Sequence, residues 1–263
     1  MSRRAVWLDG AMVPAASAAL SIDDPAVRWG EGLFETMRAE RGRVALLERH
    51  LDRLAASAEA LGLEPMPSRE RMRAAVAEAL AAAGGSPARV RLTATPRPTL
   101  LVEVVPESPA PDEPPAVTAV SVRGAWWPGN RLAEHKTLSY AGHRVAQRLA
   151  AAAGADHALL LDEDGRLGEA ALANVVVLTD AGPATAPATG LLAGVAREIA
   201  IEAVGAREEA LDEPVWRGAR EIVLTNAVAG ALAVIAVDGA PVGDGRPGTL
   251  ARSIASALRD ARG

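Results

Sequence analysis

Pro106-Glu107-Ser108-Pro109-Ala110-Pro111-Asp112-Glu113-Pro114-Pro115 divides the chain, and its reading sets the architecture. Five prolines and three acidic residues in ten positions exclude a helix or a central strand, because each proline lacks an N–H and fixes φ. We read it as a linker, 106–115, between an N-terminal α+β domain, 1–105, and a C-terminal domain, 116–263. Working outward toward the N-terminus, Thr99 to Val105 and Val90 to Thr95 alternate as two strands joined at Pro96-Arg97-Pro98. Before them a helix is predicted over Ser68 to Ala83, stopped by Gly84-Gly85 and a following proline. Leu47, Leu51, Leu54, Ala55, Ala58 and Leu61 recur at helical spacing and place Arg49 and Arg53 on the more polar side. Leu33 to Arg38 reads as a strand after the break Gly30-Glu31-Gly32, and Ala5 to Leu8 with Met12-Val13 as a hairpin around Asp9-Gly10.

Outward in the other direction the pattern is again mixed. Strands are predicted over Val117 to Val122, Ala158 to Asp162, Ala173 to Thr179, Glu221 to Thr225 and Ala233 to Val237. Helices begin near Thr137 and after Gly194, and a last one covers Thr249 to Arg259. No period of about 20 to 50 residues repeats, which excludes solenoids and propellers.

Composition removes several functional classes. The chain has 263 residues, 49% of them hydrophobic, with mean hydropathy +0.11, enough to bury a core and too apolar for intrinsic disorder. With no cysteine there is no disulfide framework, thiolate metal site or cysteine nucleophile. His50, His135, His143 and His157 are scattered, so no metal is expected. Net charge is −5 without a long basic block, which argues against nucleic acid as partner. No run reaches the roughly 18 apolar residues that cross a bilayer, and Met1-Ser2-Arg3-Arg4 opens no apolar leader. No membrane partner and a cytoplasmic location are the expectations, with a small molecule as substrate.

Four motifs carry candidate chemistry. Lys136, in His135-Lys136-Thr137-Leu138-Ser139-Tyr140, is the one lysine beside 27 arginines. Its amine can form a Schiff base with an aldehyde, which a permanently protonated guanidinium cannot; the plain alternative is a solvated lysine. Tyr140, the single tyrosine, lies four residues on and would share a helix face with it. Glu169 precedes an apolar strand and could hold a proton on a pyridine nitrogen, or simply be a solvated hairpin carboxylate. Gly194 opens a helix whose first N–H groups, on Val195 and Ala196, could hold a phosphate, or mark a routine turn. Thr225-Asn226 ends a strand, where its donors could meet a ligand or cap their own turn.

The order of these motifs is more specific than any of them alone. Gly30-Glu31-Gly32-Leu33-Phe34-Glu35-Thr36-Met37-Arg38, His50-Leu51-Asp52-Arg53-Leu54, His135-Lys136-Thr137, the run from Gly154 to Asp162, Glu169 to Asn174, Gly194 to Arg197 and Thr225-Asn226-Ala227 together resemble the class IV aminotransferases. These are fold-type IV pyridoxal-phosphate enzymes. The resemblance implies an α+β fold of two domains: a small N-terminal α/β sandwich, and a larger C-terminal domain with a barrel-like sheet. It implies pyridoxal 5'-phosphate as cofactor and a homodimer.

Residue by residue, it makes Lys136 the Schiff-base lysine and Arg53 the partner of the cofactor phosphate. Glu169 becomes the partner of the ring nitrogen, with Asn174 beside it. Gly194, Val195, Ala196, Thr225 and Asn226 become the phosphate cup, and Tyr140 the donor to the phenolic oxygen. Phe34 is the aromatic wall beside the substrate, and Arg97 a candidate for its carboxylate. One departure stands out: Ala196 occupies a position where the family commonly has threonine, removing a hydrogen bond worth roughly 0.5–1.5 kcal/mol. Phe34-Glu35-Thr36, where Thr36 could assist proton movement, and the compact length resemble aminodeoxychorismate lyases. The expected reaction is therefore 4-amino-4-deoxychorismate to 4-aminobenzoate and pyruvate. The alternative is a transaminase of branched-chain or D-amino acids.

Overall fold

The computed structural model describes residues 4–84, 87–127 and 129–263. Gly85 of the expected helix stop and Met1 to Arg3 of the N-terminal segment lie outside them. The chain divides into two compact units. One holds residues up to Pro109 together with Lys136–Ser139 and Arg262, the other Ala110–His135, Tyr140–Ala261 and Gly263.

The first unit contains β1 (Ala5–Leu8), β2 (Ala11–Val13), α1 (Pro25–Trp29), β3 (Leu33–Glu40), β4 (Arg43–Val44), α2 (Leu47–Leu61), α3 (Arg69–Ala83), β5 (Ala88–Ala94) and β6 (Leu100–Pro106). Its strands form one antiparallel sheet in the order β2-β1-β6-β5-β3-β4. Strand periodicity gives the sheet two different faces. Leu33, Met37, Val90, Leu92, Val102 and Val104 form one core with Leu51, Leu54, Met72, Val76 and Leu80 of α2 and α3. Each such side chain contributes about 1.5–3 kcal/mol when buried. Phe34, Thr36 and Arg38 take the alternate positions of β3, opposite Thr93, Arg91 and Arg89 of β5. Ser68 is the cap of α3 rather than its first residue, its hydroxyl accepting from the Arg71 amide.

The second unit contains β7 (Ala116–Val122), α4 (Ala141–Ala152), β8 (His157–Leu161), β9 (Leu167–Ala170), β10 (Asn174–Thr179), β11 (Gly182–Thr185), α5 (Val195–Val204), β12 (Arg207–Glu208), α6 (Glu213–Arg217), β13 (Glu221–Asn226), β14 (Gly230–Val237), β15 (Ala240–Pro241) and α7 (Thr249–Arg262, its Arg262 counted with the first unit). A 3-10 turn spans Arg131–Glu134. The sheet runs β12-β11-β10-β13-β14-β7-β8-β9 with β15 beside β14. The pair Ala170–Ala173 ties β9 back toward β10, so the sheet curls on itself, and the α+β, barrel-like expectation holds.

One expectation fails where it matters. The helix predicted near Thr137 begins at Ala141. The Phe34 amide donates to the Lys136 carbonyl at 2.9 Å and the Leu138 amide to the Gly32 carbonyl at 3.0 Å. A backbone committed to an edge of β3 cannot also make helical i to i−4 bonds. Lys136 and Tyr140 therefore do not share a helix face; Tyr140 sits at the cap position of α4.

Candidate active site

In the first unit the 136–139 segment lies against the start of β3. Gly32 has φ +141°, and a Cβ there would come 2.9 Å from the Ala94 carbonyl and 2.8 Å from Leu138, so glycine is what lets the segment approach. This edge pairing fixes Lys136 with its ammonium 4.5 Å from the centre of the Phe34 ring, while the Arg91 guanidinium lies 3.7 Å from the same ring. Cations over an aromatic face are attracted by its quadrupole. Arg91 stands opposite half-buried Thr36 in the β3–β5 register. Lys136, Phe34, Thr36 and Arg91 thus share one patch of the sheet face opposite α2 and α3. Lys136, Phe34 and Thr36 are legible as site residues in the sequence. Arg91 was signalled only by the alternation Arg89-Val90-Arg91-Leu92-Thr93, which places it facing the Phe34 side.

The next residue of β3 faces the helices. Glu35 is buried, accepting from Arg53 Nε at 2.9 Å and Nη2 at 2.6 Å, with His50 Nδ1 2.8 Å away. Burial alone would raise its pKa. The Arg53 charge and the hydrogen bonds from His50 and Arg53 outweigh that and hold it down at about 2. Arg53, expected on the polar side of α2, is turned inward onto Glu35, so a strand carboxylate orients the guanidinium assigned to the phosphate. Arg97 is exposed, its Nη1 donating to Ser21 Oγ at 2.8 Å. Its loop is pinned by Asp24, a wholly buried carboxylate that accepts from Thr95 at 3.0 Å, Thr99 at 2.8 Å and the Ala26 amide at 2.9 Å.

In the second unit Glu169 lies within β9 rather than in a solvated hairpin and is almost fully buried. Its Oε2 accepts from Asn174 Nδ2 at 3.1 Å, and Asn174 also donates to the Leu192 carbonyl at 2.8 Å. Asn174 therefore holds the carboxylate in place. Trp126 packs its ring onto Gly168, the residue before Glu169, and donates to the Gly190 carbonyl at 2.7 Å. Tyr140 donates to the Ala171 carbonyl at 3.1 Å, which leaves its oxygen an acceptor.

The expected phosphate cup is built around α5. Gly194 caps the helix without a side-chain hydrogen bond, and a Cβ on it would collide with Asn174 Oδ1, so glycine permits the close approach to β10. The first amides of a helix lack intrahelical partners and attract anions. Thr225 pairs with Asn174 across the β10–β13 register. Its hydroxyl is buried and has no hydrogen-bond partner, an arrangement that costs about 1–3 kcal/mol unless a ligand answers it. The orphaned hydroxyl and the uncapped helix start suit a phosphate. Asn226 is otherwise engaged: its Oδ1 accepts from the Val228 and Ala229 amides at 3.0 and 2.7 Å, capping its own turn.

The amino-transferase class IV family model matches residues 32–237. The chain belongs to that family. A protein of Methanocaldococcus jannaschii named provisionally as a branched-chain-amino-acid aminotransferase is 28% identical to this class IV chain over 98% of it and 96% of itself. A bifunctional aminodeoxychorismate lyase / D-amino acid transaminase of Mycobacterium tuberculosis is 32% identical over 66% of each. The solved structure of a hypothetical aminotransferase from Mycobacterium tuberculosis in a PLP-bound form superposes with TM-score 0.86 at 27% identity, covering 98% of both chains. Other relatives bear branched-chain or D-alanine aminotransferase names. The family and fold implied by the motifs are thereby confirmed, and this class IV chain is an enzyme.

Proposed function

We propose that the protein is a pyridoxal-phosphate-dependent aminotransferase passing an amino group from a branched-chain or D-amino acid to a 2-oxo acid. The observation that carries this reading is Lys136, the chain's one ε-amine, held by its own backbone beside Phe34 and Arg91. When bound, pyridoxal phosphate supplies an aldehyde for that amine and an electron sink for a carbanion. Lys136 would attach it and carry the proton at the substrate Cα. Glu169, steadied by Asn174, would hold the proton on the ring nitrogen, and Tyr140, whose hydroxyl proton is given to the Ala171 carbonyl, would have to turn it from there to donate to the phenolic oxygen. Arg53, the Val195 and Ala196 amides and Thr225 would hold the phosphate. Arg91, stacked on Phe34, offers a substrate carboxylate a planar guanidinium.

The names of the relatives move the balance from the lyase expected on Thr36 to the transaminase. Lyase activity remains a second reading, supported by the bifunctional mycobacterial relative and by Thr36 opposite Arg91. Family resemblance supports a homodimer. Among the described residues no helix is long and apolar enough to cross a membrane, and no group of three His, Asp or Glu could hold a metal.

The deciding experiment presents loaded protein with a D- or branched-chain amino acid plus 2-oxoglutarate or pyruvate, and separately with aminodeoxychorismate alone. Amino transfer is expected in the first arm. 4-Aminobenzoate in the second without transfer in the first would reverse the assignment. A protein that takes up no pyridoxal phosphate would defeat both readings.

Thr225→Val gives two effects of opposite sign. Removing the orphaned hydroxyl should raise the melting temperature of unloaded protein, since the unmet group costs about 1–3 kcal/mol. Affinity for pyridoxal phosphate should fall roughly 2- to 10-fold, the loss of one hydrogen bond. Equal shifts with and without cofactor would remove Thr225 from the phosphate cup.

A further inference from the structure

Glu169 has a second neighbour on the side away from Asn174. His143, on the first turn of α4, places Nε2 3.7 Å from Glu169 Oε1. Its ring lies flat on that of Tyr140, with centroids 4.3 Å apart and planes 2° from parallel. Tyr140 is itself tethered to the Ala171 carbonyl, just past the end of β9. The stack fixes the imidazole so that its edge faces the carboxylate, and little side-chain freedom is left to be lost in pairing. Glu169 is almost fully buried while His143 stays a quarter exposed, so the histidine can exchange protons with water where the carboxylate cannot.

We propose that His143 is a positioning residue that acts through Glu169: it fixes the charge and orientation of Oε1 while Asn174 fixes Oε2, and so sets how firmly Glu169 holds the proton on the cofactor's ring nitrogen. This rests on the assignment of Glu169 to that nitrogen. His143 meets no other ion-pair partner among the described residues. Tyr140 is the other titratable group at its ring, β10 brings neutral Asn174, and the titratable residue of β8, which packs against α4, is His157.

Two measurements test it. In unloaded protein, the ring NMR resonances of His143 should shift in Glu169→Gln while those of His157 stay in place. In loaded protein, His143→Asn keeps a donor without the imidazole and should displace the pH dependence of the cofactor's absorption band, leaving the melting temperature of the unloaded protein close to wild type. His143 resonances indifferent to Glu169→Gln overturn the coupling. Shifted His143 resonances with an unchanged band in His143→Asn overturn the positioning role, the pair then serving structure alone. Wild-type protein that shows no band at all overturns the assignment of Glu169 and this inference with it, and the NMR arm still shows whether the ion pair exists.

Discussion

Lys136→Ala is expected to leave a folded protein that cannot be labelled. Borohydride reduction of loaded wild type should place one pyridoxyl group on the peptide carrying Lys136, and the variant, with no ε-amine anywhere in its sequence, should gain none. Turnover should fall by at least about 10³-fold, because the variant loses both covalent attachment of the cofactor and a positioned proton carrier. The fold should persist, since the contacts that bind this segment to β3 are made by the backbone at 136 and 138. Lys136→Arg sharpens the test. It keeps a cation near Phe34 but not a nucleophile, and should be as inactive as the alanine variant. A pyridoxyl group on any other peptide, or an active Lys136→Arg, would remove Lys136 from the chemistry.

The second large effect is on stability. Glu35→Ala leaves His50 buried and the Arg53 guanidinium without its carboxylate, and breaking a buried pair from one side costs about 3–5 kcal/mol. For a protein of this size that is roughly a 10 °C fall in melting temperature. The folded pKa of about 2 lies below the ordinary value of 4.5. Stability from the ionised Glu35 is therefore fully present above pH 4.5 and is lost as pH falls from 4.5 toward 2. Urea melts across that window should show wild type losing stability faster than Glu35→Ala. Parallel pH dependence in the two proteins would mean that Glu35 is not the group responsible. Because Glu35 also orients Arg53, Glu35→Gln should weaken cofactor binding while destabilising the fold less than alanine does.

The sequence made the punctuation of the fold readable. Ser68 and Gly84 bound α3, and alternating Val90 to Thr95 marks β5 within two residues. Short elements such as α1, α6, β11, β12 and β15 carry too few residues for any periodicity to appear. The misplacement of α4 has a different cause. Thr137 to Tyr140 contains nothing that forbids a helix, and the hydrogen bonds that do forbid it come from Gly32 and Phe34, about a hundred residues away. The same holds at the site: Arg53 was legible from its motif, but its pairing with Glu35 joins a strand to a helix and leaves no local trace. Asn226 shows the converse, a motif residue whose amide serves its own turn.

The Trp126 indole resting on Gly168 also has an optical side. Trp126 is buried one residue from the carboxylate assigned to the cofactor ring, whereas Trp127 stands in solvent. Indole emission overlaps the absorption of a bound pyridoxal chromophore. Emission from Trp126 is therefore expected to dim as the cofactor loads, which would let loading and release be timed without an added dye.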